Sequence, residues 1–179
     1  MHLLLALLLF ILPATARELA GVTLPDTVTL GGQPLLLNGM GLREYFFIDI
    51  YVGGMYLPAR TTSDVEAIRS DVPKRMVMHF IFKEVTREQM IDTFRQGLEN
   101  NPEARSMGDR TERLYAVMET CQAGDEVLLD YVPGEGLAIY LKGVKKDTIP
   151  GADFMRAVWT LFIGPVPPSK KLKAGLLGG

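Results

Sequence analysis

Apolar positions along this chain change their period several times, and each change marks a predicted element. Residues 22–30 (VTLPDTVTL) and 34–39 (PLLLNG) are β-prone runs around GGQ, a hairpin signal. Residues 38–58 (NGMGLREYFFIDIYVGGMYLP) continue as one long strand or two short ones. Strict alternation there places Arg43, Tyr45, Asp49 and Tyr51 on one face and Leu42, Phe46, Ile48, Ile50 and Val52 on the other. Ser63 and Glu66 stand at capping-box spacing and predict a short helix that Pro73 ends. Residues 74–82 (KRMVMHFIF) then read as strand.

The second helix has the fuller signature. Thr86 and Gln89 form a T-x-x-Q cap, and Val85 and Met90 are placed as a hydrophobic staple. Met90, Ile91, Phe94 and Leu98 make one apolar stripe before Asn100, Asn101 and Pro102 stop it. Residues 109–121 predict a further helix, capped by Asp109 and Glu112. Residues 125–132 and 136–143 alternate around PGEG as a hairpin. Residues 152–164 (ADFMRAVWTLFIG) are apolar around most of a helix, with a polar strip of Asp153, Arg156 and Thr160. Such a helix is buried on several sides or walls an apolar cavity. Residues 166–179 predict a last short helix that frays. Strands first, inserted helices, a hairpin and closing helices give an α+β fold, its antiparallel sheet covered on one face.

The ends of the chain add detail. Residues 1–16 (MHLLLALLLFILPATA) combine a short apolar run with Ala14-Thr15-Ala16, a small-x-small cleavage pattern. They read as a secretory signal peptide, with an uncleaved anchor as the alternative. No Cys follows the run, which excludes a lipoprotein anchor. Residues 17–179 then form a single domain without a transmembrane segment.

Charge and chemistry mostly exclude. Lys and Arg number 19 against 21 Asp and Glu, so no global field points to nucleic acid. SKKLK near the C-terminus reads as a solvated helix face. Cys121 is the one cysteine and cannot form an internal disulfide. His79 is the one histidine beyond the leader, in a strand with Val77 and Ile81 on its face, and reads as structural. One Cys and one His do not build a zinc site without carboxylates. No HExxH, P-loop or GxGxxG pattern occurs, so no metal or cofactor is expected.

Arg43 stands out. It lies in a stretch suited to an interior, yet it keeps its charge, and burying an unpaired ion costs several kcal/mol. It reaches water, pairs with Glu44, Asp49 or another acid at an exposed strand end, or meets an anionic ligand. Tyr51 is eight residues on, about 26 Å along a straight strand. The two share a ligand only if the chain doubles back near Glu44 to Ile48.

The order NGMGLREYFFIDIYVGGMYLPA, VTREQMIDTFRQGLENN and YLKGVKKDTIPGADFMRAVWTLFIGPVPPSKKLKAGLLG resembles the bacterial chalcone-isomerase-like proteins. These are exported relatives of plant chalcone isomerase and of its non-catalytic fatty-acid-binding branch. The resemblance covers essentially all of residues 17–179. It implies an open-faced β-sandwich, an antiparallel sheet with helices packed on one face and a cleft between them. It implies for Arg43 either stabilisation of an enolate oxygen or capture of a carboxylate, for which a guanidinium fork is well matched. Against the enzymes, Tyr51 replaces a threonine, Met90 a tyrosine, Gly97 an asparagine, and Leu161 a polar hydroxyl residue, with Thr160 beside it. That pattern fits the fatty-acid binders better than the isomerases. The expected ligand site is therefore Arg43, Tyr51, Met90, Phe94, Thr160 and Leu161, in a cleft walled by residues 154–163. The expected ligand is a small hydrophobic acid such as a fatty acid, and the alternative is an isomerase acting on a chalcone-like phenol. A periplasmic monomer completes the expectation.

Overall fold

Glycines at positive φ set the first turns. β1 (Ala16–Leu19) and β2 (Val22–Pro25) pair across Ala20-Gly21, and β3 (Thr27–Leu30) turns through Gly31-Gly32 into β4 (Gln33–Tyr45). The structure, a computed structural model, describes residues 15–101 and 107–179. All but the last two residues of the expected leader lie outside these, as does Pro102.

β4 returns as β5 (Ile48–Leu57), and α1 (Asp64–Arg69) leads to β6 (Lys74–Phe80). Ser63 Oγ accepts the Glu66 amide at 3.2 Å, as the capping pattern predicts, while the Glu66 carboxylate turns to the Thr61 hydroxyl. α2 (Arg87–Asn100) carries the full reciprocal capping box of Thr86 and Gln89 and buries Met90, Ile91, Phe94 and Leu98. α3 (Asp109–Ala116) departs from expectation at both ends. Gly108, at φ 52°, is its N-cap, so Asp109 lies inside the helix, and the helix stops before Cys121. That residue instead opens β8 (Cys121–Gln122), which pairs with β7 (Glu84–Val85).

β9 (Glu126–Val132) and β10 (Gly136–Leu141) form the predicted hairpin, and β11 (Val144–Ile149) extends it as a lysine-bearing edge strand. The main sheet is antiparallel, in the order β11-β10-β9-β6-β5-β4-β3. Alternation gives it two faces. Tyr51, Met55, Met76, Met78, Leu129 and Ile139 turn toward all the helices and form the main core. Val52, Tyr56 and Val77 turn the other way, where Val22 and Leu24 of the β1–β2 hairpin cover part of the face. The fold is thus α+β, an antiparallel sheet with helices packed on one face.

α4 (Ala152–Ile163) lies at the centre of that layer, with Phe154, Met155, Val158, Trp159 and Ile163 fully buried. α5 (Lys170–Leu176) does not fray. Leu172 and Leu176 are fully buried, and the helix lies backbone to backbone on β4, where Gly39 and Gly41 offer no Cβ. Asn38, bulged out of the β4–β5 register, fixes it further by donating to the Leu176 carbonyl at 2.7 Å.

Candidate functional site

The turn between β4 and β5 doubles the chain back. Phe46 and Phe47 both have positive φ, and Tyr45 pairs with Ile48, so the loop is two residues long. Arg43 consequently lies directly opposite Tyr51, a separation of about 5 Å between Cα atoms. One residue beyond, the register slips, because Glu44 pairs with Asp49 and leaves Ile50 as a bulge. The simple alternation of the sequence is broken there. Ile48 and Ile50 join Arg43, Tyr45 and Tyr51 on the cleft side, while Asp49 does not line the cleft.

These residues form one wall of a cleft of about 630 Å³, within the 300–1,000 Å³ or so usual for small-molecule sites. Met78, Phe80 and Phe82 floor it from β6 and its continuation. α2 supplies the opposite wall through Met90, Thr93, Phe94, Gln96, Gly97 and Asn100, and Val166, Pro167 and Pro168 complete the lining. Gly97 matters for closeness, since a Cβ there would lie 2.7 Å from Leu161 Cδ2.

Glu84, Gln89, Asp92, Thr93, Gln96 and Asn100 add polar groups to the lining, and several are engaged. Gln89 accepts the Thr86 amide, the Thr93 hydroxyl donates to the Gln89 carbonyl at 2.8 Å, and Asp92 pairs with Arg95 at 2.7 Å. Arg43 is different. It is half-buried, stands 5.6 Å over the Tyr45 ring and donates to the Glu44 carbonyl, but has no carboxylate partner among the described residues. The Glu44 carboxylate is taken instead by Lys171 at 2.7 Å. Tyr51 is buried against Phe80, with ring centroids 5.6 Å apart. Burial pushes its phenol pKa well above the ordinary value, with Arg43 pulling weakly the other way. Its hydroxyl therefore stays protonated, makes no hydrogen bond to a described residue, and is available as a donor.

The cleft thus brings together Arg43, Tyr51, Met90 and Phe94 of the expected residues. Thr160 and Leu161 stand apart. Neither lines the cleft, Thr160 Oγ1 donates to the Arg156 carbonyl one turn back, and Leu161 packs on Gly97 behind the cleft wall. None of the other residues of 154–163 lines the cleft, and the apolar ones lie in the core layer. Met78 and Phe80 escaped the sequence reading although alternation along 74–82 places them together. His79, between them, faces away and bonds Glu126 across the strands at 2.9 Å. Among the described residues no cluster of His, Cys, Asp and Glu could hold a metal ion.

A family model described as chalcone isomerase-like matches residues 16–178. Among curated proteins none matches. Among solved structures, the chain is similar to the crystal structure of a fatty-acid binding protein of Arabidopsis thaliana. The TM-score is 0.71 at 14% identity, covering 91% of this chain and 96% of that one. At that identity the likeness concerns the fold.

Proposed function

This chain belongs to the chalcone isomerase-like family, and from that premise we propose that it is a non-catalytic binder of a hydrophobic carboxylate of the fatty-acid class. One observation carries the reading. A guanidinium with no carboxylate partner among the described residues and a protonated phenol stand side by side, next to an apolar stretch of the cleft. A carboxylate offers acceptors to both, and an acyl chain runs along Ile50, Met78, Phe80, Met90 and Phe94. The fatty-acid-binding neighbour is consistent with it.

Mass spectrometry of protein purified without delipidation tests the reading. A copurifying fatty acid is expected, and Arg43→Ala should weaken its binding roughly ten- to a hundredfold, the loss of a charge-assisted pair. Arg43→Lys should weaken it too, because the planar fork is gone. Equal binding by Lys rejects recognition by the fork.

The same two donors could stabilise an enolate oxygen, so the isomerase reading stands second. Against it, the cleft offers no histidine, and the hydroxyl of Thr93 is spent within α2. Chalcone turnover above the spontaneous rate, abolished by Arg43→Ala, would reverse the order.

Export through residues 1–16 belongs to the same proposal and rests on the apolar run ending in Ala14-Thr15-Ala16. N-terminal sequencing of protein from its native cells should begin at Arg17; an intact Met1 refutes it.

A further inference from the structure

The β4–β5 hairpin ends on Tyr45-Phe46-Phe47-Ile48, and all four side chains are exposed, Phe47 completely. Two-residue hairpin turns of this kind require positive φ at both positions, and glycine meets that demand with least strain. The other such turns of this molecule comply: Ala20-Gly21, Gly31-Gly32 and Lys142-Gly143 each place glycine second. At Phe46-Phe47 the chain instead puts two aromatic residues into the left-handed region, at φ 46° and 66°. Phe46 stands edge-on to the Tyr45 ring, with centroids 4.6 Å apart. Phe47 is fully exposed, and no contact of its ring with another ring is found among the described residues.

The tip adjoins the cleft. Tyr45 and Ile48 line its mouth, as do Val166, half-exposed, and Pro167. No charge occurs between Glu44 and Asp49, and the exposed Lys170 and Lys171 stand beside the tip through the Lys171–Glu44 pair. We propose that the tip docks on a phospholipid bilayer, with Phe46 and Phe47 in the boundary between headgroups and acyl chains and the cleft mouth set against the surface. Aromatic side chains suit that boundary. Glu44 and Asp49 limit the depth, and the two lysines meet lipid phosphates. A protein partner fits less well, because a two-residue tip is far smaller than the roughly 800 Å² that each side of a stable interface buries. The reason for docking rests on the fatty-acid reading: a fatty acid would pass between bilayer and cleft without crossing bulk water.

The test uses the full chain carrying Phe47→Trp and vesicles of brominated phosphatidylcholine. Trp159 is fully buried and contributes a constant background, so the change in emission on adding vesicles reports the indole introduced at position 47. Emission should shift to the blue and be quenched by the brominated lipid; unchanged emission, still quenched by aqueous iodide, overturns the proposal. A second variant, Phe46→Asn with Phe47→Gly, installs a favourable turn, so misfolding is not at issue. It should take up fatty acid from vesicles at least tenfold more slowly, yet bind fatty acid dissolved in buffer unchanged, because neither residue lines the cleft. Equal uptake rates overturn docking, as does a wild-type dimer that the double variant abolishes. Failure of the fatty-acid reading shows separately, as loss of binding in buffer with tip quenching intact.

Discussion

In the proposed fatty-acid site, Arg43 and Tyr51 divide recognition of a carboxylate between charge and geometry. The guanidinium supplies charge at every relevant pH, and the buried phenol supplies a directed donor that does not ionise in the ordinary tyrosine range. Tyr51→Phe should therefore leave the fold intact and weaken fatty-acid binding by about 0.5–1.5 kcal/mol, several-fold in the dissociation constant. The pH profile carries more information than the single number. The raised Tyr51 phenol keeps its proton from neutrality to beyond pH 10, so wild-type affinity should be flat there. It should fall only on the acid side, as the ligand's own carboxyl group protonates. Equilibrium titration with a fluorescent fatty acid across pH reads this directly, and a loss of affinity near pH 10 would mean that Tyr51 ionises as an exposed phenol does. Arg43 was legible from type and context, since a guanidinium in an apolar stretch demands a partner, whereas Tyr51 came from the family resemblance. Their adjacency was not, because it depends on a hairpin turn written Phe-Phe, without the Asn or Gly that marks such turns.

At the scale of elements, local signals succeeded wherever the stabilising contacts are local. The α2 capping box and its four-residue apolar stripe form as written, because each partner lies within one or two turns. The errors follow where distant chain decides. α3 begins at Gly108, a residue with no side chain to announce a cap. β11 presents Lys145, Lys146 and Asp147 in succession, since an edge strand needs no apolar alternation. α5 looks too polar and too short to hold, yet β4 offers it Gly39 and Gly41 in sequence separated by more than a hundred residues. A Cβ on Gly41 would meet the Leu172 carbonyl oxygen inside contact distance and the Leu172 Cα at 2.9 Å, both backbone atoms that cannot rotate away. Gly41→Ala should lift α5 from the sheet, partly uncover Leu172 and Leu176, and cost about 1–3 kcal/mol. Urea unfolding measures the loss; an unchanged midpoint would show that α5 is not seated by backbone contact. The glycines preceding Arg43 thus have a packing role, separate from the chemistry two residues away.

At the scale of the whole molecule, the main sheet has unequal faces, and this explains both the cleft and the titration behaviour. The helices of the described residues share one side, and α4 packs at its centre without lining the cleft, which falls instead between α2 and the β4–β5 hairpin. Sequence placed an apolar helix at a cavity wall because full burial and cavity lining demand the same side chains, and only the packing of the other helices separates them. The same dense packing buries titratable groups on both faces. Burial pushes Tyr56 and Tyr131 up to about 12, the latter helped by the Asp71 carboxylate that its hydroxyl bonds, and pushes Tyr51 further. Burial pushes Lys74 down to about 8, although its ammonium donates to the Ala67 and Ser70 carbonyls at the end of α1. The signs are opposite. Between pH 8 and 10.5 the unfolded chain holds a lysine proton that the folded chain has released, so stability rises with pH. Above pH 10 the unfolded chain loses tyrosine protons that the folded chain retains, so stability present below that pH is progressively lost toward pH 12. Three tyrosines outweigh one lysine, and the melting temperature should pass through a maximum between about pH 8 and 10 and then fall steeply. Lys74→Met should remove the rise and keep the fall, whereas a melting temperature that climbs from pH 10 to 12 would mean that these phenols reach solvent in the folded protein.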